Sequence, residues 1–333
     1  MKPAAFILGL FAVAASPAAA DEPVPELQLQ PPDYGAPVGM LDRPHEYLSH
    51  RVEEFSRYLD TFYGDPNRVY DSTGSTLQIR DHLTFFKGGR RENQPEVRAH
   101  VSLPNTEDRL KLVVQRGLTA ATQTSAERDI KNVTGSDQVA AQGAQQDNSY
   151  YLGLKALAAE ILGVSLSGEA GARFGTPINT YVRLRASRDF LVSDWAIRLS
   201  ETPLWKHSEG TSAATEATFD RRLGAEWLFR FTTKATWRDT TGYFDLAEIG
   251  SLYFTPDKRT AYTFELGAFG PSEPSAKPTV YALTLRARKL IYRDWLYLEL
   301  TPQVLYPKTD GFRPMPSIML QLEMLFGDRY LQR

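Results

Sequence analysis

The sequence contains no cysteine among its 333 residues, so disulfides, thiolate metal ligands and cysteine nucleophiles are excluded. Histidine is also scarce, and no HExxH or comparable metal-binding spacing is present. The five histidines are His45, His50, His82, His100 and His207. We therefore expect neither a metal site nor a cofactor.

The sequence also lacks a strong charge imbalance and long apolar runs. Its formal net charge is −2, which argues against a strongly basic nucleic-acid-binding protein. Beyond the N-terminus, no segment is apolar over the roughly 20 residues that a transmembrane helix needs. If the protein crosses a membrane, it must therefore do so with β-strands.

The first residues, "MKPAAFILGLFAVAASPAAADEP", have the pattern of a secretory signal peptide. Lys2 is followed by an apolar run, and the small residues Ala18–Ala20 predict cleavage after residue 20. Residues 21–43 are rich in proline and predict an extended linker. Residues 44–64 have apolar positions at helical spacing, which predicts one short amphipathic helix in the periplasm or at one end of the main fold.

From about residue 75 the spacing of apolar residues changes from helical spacing to every second residue. Leu77, Ile79, Leu83 and Phe85, for example, alternate with polar residues. Such segments, each of roughly ten residues, recur up to residue 326, and ten residues is the length of a tilted membrane-spanning strand. We predict an all-β fold, a transmembrane antiparallel β-barrel over residues 75–326 with about 14 strands (12 as the alternative). Residues 327–333 form a tail.

Aromatic residues lie near the predicted strand ends, where the two membrane interfaces would be. The predicted interfacial residues are Trp195, Trp205, Trp227, Trp237, Trp295 and Tyr306. Two stretches that contain them, "LRASRDFLVSDW" at 184–195 and "LRARKLIYRDW" at 285–295, are nearly the same. We interpret each as a hairpin in which Leu-Arg-Ala ends one strand, Arg188-Asp189 or Arg288-Lys289 lies in the turn, and Asp-Trp starts the next strand.

The signal peptide, the hairpins ending in Asp-Trp and the final strand "SIMLQLEMLF" together resemble porin-like outer-membrane β-barrel proteins of Gram-negative proteobacteria. The resemblance covers about residues 75–326. It implies insertion into outer-membrane lipid with the help of periplasmic chaperones and the barrel assembly machinery. Phe326 matches the aromatic residue of the C-terminal assembly signal. The resemblance leaves the oligomeric state and the transported solute open.

If the apolar set faces lipid, the alternate residues face the lumen. The inward basic residues are then Arg80, Arg98, Lys111, Lys155, Arg183, Arg185, Arg198, Arg230, Lys234, Arg286 and Arg288, and the inward acids are Glu169, Glu216, Asp220, Glu265, Glu299 and Glu323. The candidate lumen-facing basic cluster comprises Arg80, His82, Arg98, His100, Arg183, Arg185, Arg286 and Arg288. In its first hairpin, a register with Arg80 beside His100 places His82 beside Arg98. Asp81 would face lipid, which indicates either a bulge or a different register.

These features predict a channel for passive passage of small solutes, with anions favoured by the basic lumen. Two interpretations of the lumen stay open: a basic constriction that selects anions, or an interior in which acids and bases pair across strands. A non-conducting envelope scaffold is the second functional hypothesis, and a membrane-embedded lipid-modifying enzyme is the third. We do not expect an enzyme, since there is no GxSxG motif and Ser165, Ser167 and Glu169 fit lumen-facing strand positions.

Overall fold

A computed structural model describes residues 75–102, 110–116, 149–157, 163–174, 178–293 and 295–327. The predicted signal peptide (1–20), linker (21–43) and amphipathic helix (44–64) lie outside the described residues, as does the tail beyond residue 327. Within the described ranges, no helix has the length and apolar character needed to cross a bilayer.

Fourteen β-strands make up the described fold, and they correspond one to one with the segments predicted from the period-two pattern. They are β1 (Thr76–Phe86), β2 (Arg91–Ser102), β3 (Leu110–Arg116), β4 (Tyr150–Leu157), β5 (Ser165–Arg173), β6 (Thr180–Val192), β7 (Trp195–Lys206), β8 (Gly210–Arg222), β9 (Trp227–Arg238), β10 (Phe244–Asp257), β11 (Thr260–Pro271), β12 (Val280–Tyr292), β13 (Leu296–Pro307) and β14 (Met315–Gly327). A short 3-10 turn, Lys308–Asp310, lies between β13 and β14.

The strands form a closed antiparallel barrel. Each strand pairs with its neighbours in the chain, and β14 closes the sheet by pairing with β1 from Thr76↔Gly327 to Phe86↔Ser317. The prediction of an all-β antiparallel barrel with 14 strands is confirmed, and the alternative of 12 strands is wrong. Because the sheet closes, each described strand has a hydrogen-bonded neighbour on both sides.

The barrel has the polarity of a membrane protein, with apolar residues outside and polar residues inside. On β12, Leu283 and Leu285 are exposed on the outer face, whereas Thr284 and Arg286 are buried on the inner face. A closed barrel with an apolar outer band and a polar interior is the architecture of bacterial outer-membrane proteins. The protein is therefore an outer-membrane β-barrel of porin-like architecture.

The repeated stretches form hairpins, but their turns lie further along the chain than predicted. β6 continues to Val192 and β12 to Tyr292, so Arg188-Asp189 and Arg288-Lys289 lie within strands. The interpretation of these pairs as turn residues is wrong. The period-two pattern continues past Leu-Arg-Ala, and the chain reverses at Ser193 (φ 55°) and Arg293 (φ 44°), where the positive φ suits a tight hairpin turn.

The register of the first hairpin also differs from the one considered above. Arg80 lies opposite Glu96, and His100 lies opposite Thr76. Strand β2 begins at Arg91, earlier than its apolar alternation suggests, and this adds Glu96 to the inner face. Asp81 is exposed on the outer face and pairs with Pro95 without a bulge, since the pairing of β1 is continuous on both sides.

Candidate functional site

One side of the lumen carries a compact network of arginine and glutamate side chains, which we call the paired wall: Arg80, Arg286, Arg288, Glu299 and Glu323. Arg80 Nε lies 3.2 Å and Arg288 Nη1 lies 2.8 Å from the carboxylate of Glu323. Glu299 lies 3.4 Å from Arg286 Nε and 3.3 Å from Arg288 Nη1. Each arginine of this wall therefore has a carboxylate partner.

Neighbouring polar and aromatic groups complete the paired wall. The side-chain amides of Gln78 and Gln321 donate hydrogen bonds to Glu323 at 2.7 and 2.9 Å. The guanidinium of Arg288 lies 4.3 Å from the centre of the Tyr297 ring, at cation–π distance. Glu323 is 0% exposed and Arg288 is 1% exposed. A buried charge is tolerated only when it is paired and hydrogen-bonded, and these contacts meet that condition for the Glu323 carboxylate.

A second part of the lumen, the basic wall, comprises Lys111, Lys155, Glu169 and Arg183 on β3 to β6. Register pairs place Lys111 opposite Lys155, Lys155 opposite Glu169 and Glu169 opposite Arg183, so the four residues form one row across four strands. All four are buried on the inner face. The row therefore holds three cations and one carboxylate, with two lysines directly opposite each other.

The surroundings of Glu169 are shaped by two glycines on β4 and β5. Gly153 lies opposite Gly171, and Gly171 lies opposite Tyr181. A Cβ atom at Gly153 would overlap the Tyr181 hydroxyl, and one at Gly171 would overlap the backbone of Leu152. The missing side chains let Tyr181 lie across the sheet, where its hydroxyl donates a 2.5 Å hydrogen bond to Glu169 Oε1. Sequence reasoning missed this role of Tyr181. The feature of the sequence that could have indicated it is the presence of glycines within two neighbouring strands, Gly153 and Gly171.

Further hydrogen bonds fix the Glu169 carboxylate against its own wall. Gln115 Nε2 donates to Glu169 Oε1 at 3.1 Å, and the Arg183 guanidinium donates to Glu169 Oε2. The Glu169 carboxylate therefore accepts hydrogen bonds from Gln115, Tyr181 and Arg183. Lys111 and Lys155 lie on the β3–β4 side, and the row as a whole holds two more cations than carboxylates.

The eight residues of the predicted basic cluster do not form one cluster. Arg80, Arg286 and Arg288 belong to the paired wall, whereas Arg183 belongs to the basic wall and Arg185 occupies the same face two residues further along β6. His100 lies on the inner face opposite Thr76 of β1 and Val113 of β3. Of the described members, Arg80, Arg98, His100, Arg183, Arg286 and Arg288 are buried, and His82 and Arg185 are partly buried.

A local positive cluster in the first hairpin is not found, because Glu96 neutralises it. Arg98 Nε donates to Glu96 Oε1 at 2.6 Å, and His82 Nε2 lies 3.8 Å from Glu96 Oε2. Sequence reasoning missed Glu96, because this residue precedes the alternation of apolar residues that begins at Val97. The lumen is therefore not evenly basic: acids and bases pair around β1–β2 and β12–β14, and the excess of positive charge lies on β3–β6.

Strands β7–β10 also pair inward charges across neighbouring strands. Arg230 forms a two-bond contact with Asp220 at 2.7 and 2.8 Å. Lys234 lies opposite Glu216. The basic wall, with three cations and one carboxylate, therefore has the larger excess of positive charge among these parts of the described lumen.

The six predicted interfacial aromatics lie at two levels of the barrel. Because β7, β9 and β13 run in the same direction, Trp195, Trp227 and Trp295 at their beginnings mark one end, and Trp205, Trp237 and Tyr306 near their last residues mark the other. The Trp295 ring stacks on the ring of Phe326 with centroids 5.7 Å apart. Phe326 is exposed on the outer face near the end of β14. Its role in assembly stays a prediction.

Within the described ranges, no group of three or more histidine, aspartate or glutamate side chains is arranged to hold a metal ion. The buried carboxylates of the lumen are instead bound to arginine, glutamine, serine, threonine or tyrosine side chains. These side chains can attract, orient and pass charged solutes by electrostatics and hydrogen bonding.

No protein-family model matches the chain, and no curated protein matches it. Solved structures with a similar fold include the KdgM porin in complex with disordered oligogalacturonate, at 8% identity and TM-score 0.37, covering 75% of this chain and 99% of that one. An anion-selective porin from Comamonas acidovorans has 8% identity and TM-score 0.43, with 77% and 99% covered. The CymD monoaromatic hydrocarbon channel has 8% identity and TM-score 0.45, with 80% and 92% covered. At these values the matches say nothing about what this chain transports.

Proposed function

We propose that the protein is an outer-membrane channel through which small hydrophilic solutes pass passively, with a preference for anions. The observation that carries the proposal is the row Lys111–Lys155–Glu169–Arg183 on the inner face. Rings or rows of lysine and arginine favour anions in pores, because they replace part of the hydration that an anion loses on entry. No catalytic step is part of the proposal.

The arrangement of the two lysines supports a role in transport. Like charges directly opposite each other on neighbouring strands destabilise a sheet. Lys111 and Lys155 are in this arrangement, and both are buried on the inner face. An anion passing between them would relieve this repulsion, and the paired wall gives no comparable reason for an anion to bind.

The test is single-channel conductance of refolded protein in a planar bilayer, with the reversal potential measured under a salt gradient. We expect a stable conductance and a reversal potential whose sign indicates anion selectivity. The double variant Lys111→Gln/Lys155→Gln should shift the reversal potential towards zero by more than half, because two of the three cations of the row are removed. Arg183→Ala/Arg185→Ala should shift it in the same direction.

The matched control is Lys289→Gln, which makes the same substitution on the outer face of β12. It should leave the reversal potential unchanged. An open but cation-selective pore in the unchanged protein would contradict the anion preference. Equal effects of the inner and outer lysine substitutions would contradict the role of the basic wall.

One observation favours a second candidate function, a non-conducting barrel that serves as an envelope scaffold. Inward side chains are close to fully buried, with Glu323 0%, Arg288 1% and Lys111 1% exposed. A wide, water-filled pore would leave such groups more exposed. This candidate would be favoured over the channel if correctly folded full-length protein shows no conductance and a variant lacking residues 21–64 conducts.

A further inference from the structure

The outer face of the barrel carries a belt of four polar residues in the middle of its apolar band, which we call the outer belt: Glu201, Thr215, Thr233 and Glu248. They lie on four consecutive strands, β7 to β10. Glu201 lies opposite Thr215, and Thr233 lies opposite Glu248. The lateral order along the surface is therefore glutamate, threonine, threonine, glutamate.

The four residues lie at nearly the same depth in the membrane. Along β7, Glu201 is six residues from Trp195 and four from Trp205. Along β9, Thr233 is likewise six residues from Trp227 and four from Trp237. If these tryptophans mark the two interfaces, the outer belt lies inside the hydrocarbon region, about 10 Å from the nearer interface at roughly 2.5 Å of depth per tilted residue.

Carboxyl groups at this depth are costly in lipid. Thr215 Oγ1 donates a 2.5 Å hydrogen bond to Glu201, and Thr233 Oγ1 donates a 2.7 Å hydrogen bond to Glu248. One hydroxyl supplies only part of the hydrogen bonds that a carboxyl group can make. On β12 and β13, by contrast, which lie beyond β11 in the ring of strands, the outer face carries leucines, including Leu283, Leu285, Leu298 and Leu300.

We infer that the outer belt is the contact surface for a second copy of this chain, in a two-fold dimer of barrels. A two-fold axis along the membrane normal, passing between β8 and β9, exchanges the two ends of the belt. Thr215 then faces Thr233 of the second copy, and Glu201 faces its Glu248. The order glutamate–threonine–threonine–glutamate is the same from either end, as an isologous contact requires.

The sizes of the side chains fit a contact between two convex walls. Two barrels approach most closely along one line and diverge on either side of it. Around the two threonines, the outer faces of β8 and β9 carry the small residues Ala213, Ala217 and Ala235, whereas Phe219 and Phe231 pack against each other nearer one end of the line. The longer glutamates lie at the flanks, where the gap widens. A proton shared between two facing carboxyl groups removes their repulsion and adds a hydrogen bond.

The area of the surface is sufficient for a specific contact. A wall four strands wide, at about 4.8 Å per strand, and about 25 Å tall covers roughly 480 Å². Two copies together bury about twice this area, which is close to the ~1,000 Å² expected of a specific interface. The surface of β7–β10 therefore needs no additional protein to make a dimer.

Cysteine cross-linking in intact outer membranes tests the inference directly, because the native chain contains no cysteine. Thr215→Cys places one thiol near the proposed axis, and Leu283→Cys places one on the outer face of β12 as the control. We expect a disulfide-linked dimer for Thr215→Cys and none for Leu283→Cys. A cross-link to a protein of different mass, or equal cross-linking of the two variants, would overturn the inference.

The mass of the native protein in mild detergent provides a second measurement. Light scattering should give a dimer for the unchanged chain and a monomer for Glu201→Leu/Glu248→Leu. The control Asp81→Leu removes an outward carboxylate from β1, on the far side of the barrel, and should stay dimeric. Heat-modifiable migration in gels verifies that each variant is folded. A monomeric unchanged chain, or a double variant that remains dimeric, would overturn the inference.

Discussion

On the paired wall every arginine lies beside a glutamate, whereas on the basic wall two lysines lie opposite each other and share one glutamate with an arginine. Both walls are buried and belong to the same barrel, so burial alone does not separate them. Pairing of opposite charges lets a charged wall be buried without a large energetic penalty. The row of the basic wall holds three cations and one carboxylate, and the anion passage that we propose would give this excess a function.

The largest expected effect comes from breaking the paired wall at its centre. Glu323→Gln removes the carboxylate shared by Arg80 and Arg288, and leaves two buried guanidinium groups with one carboxylate fewer. Removing one partner of a buried ion pair typically costs about 3 kcal/mol or more. We expect the free energy of unfolding in urea, measured in lipid vesicles, to fall by about 3 kcal/mol.

The control for this variant is Glu209→Gln, which breaks an ion pair with Lys206 in the turn after β7. The side chain of Glu209 is 54% exposed, so its loss should cost less than about 1 kcal/mol. If both variants cost the same, the buried network does not stabilise the barrel more than a surface ion pair does.

The sequence was sufficient to predict the strands and which of their faces is polar. Alternation over segments such as Leu77–Phe85 assigns each side chain to the lumen or to lipid, because the side-chain period of a strand is two. The same alternation cannot locate the ends of a strand that stays regular through charged residues. For this reason the turns were placed at Arg188-Asp189 and Arg288-Lys289, several residues too early.

The candidate site was predictable only in part, because facing pairs depend on register. A shift of two or four residues keeps every side chain on its face but changes all its neighbours across the strands. Arg80 was thus assigned to the lumen from the sequence, while its partners Glu96 and Glu323 required the closed sheet. The outer belt was missed for the same reason: Glu201 and Glu248 are far apart in sequence and meet their threonines only through pairing.

A smaller effect on stability, with a change in selectivity, is expected from Glu169→Gln on the basic wall. The glutamine keeps the size of the side chain and hydrogen bonds with Tyr181 and Gln115, but loses the charge next to Arg183. Glu169 forms an ion pair with Arg183, whereas Glu323 forms ion pairs with two arginines, so we expect about half the loss of Glu323→Gln, roughly 1.5 kcal/mol in unfolding free energy. The reversal potential should move further towards anion selectivity.

Glu201→Gln is the matched control for the selectivity change, because it makes the same substitution on the outer face. It should leave the reversal potential unchanged. A shift towards cation selectivity in Glu169→Gln would mean that this carboxylate does not oppose the positive charge of the row, and would count against the basic wall as the selective element.

The smallest effect is expected from Asp189→Asn, where an ion pair with good geometry lies in a partly solvated position. Arg198 makes two hydrogen bonds of 2.6 Å to Asp189, yet the two side chains are 20% and 41% exposed. Solvent weakens such a pair, so the free energy of unfolding should fall by less than about 1 kcal/mol. Because salt screens exposed charges, the difference from the unchanged chain should shrink further in high salt. Urea unfolding at low and high ionic strength measures both effects. A salt-independent loss as large as that of Glu323→Gln would contradict this prediction. It would show that solvent exposure does not separate the strong ion pairs of this lumen from the weak ones.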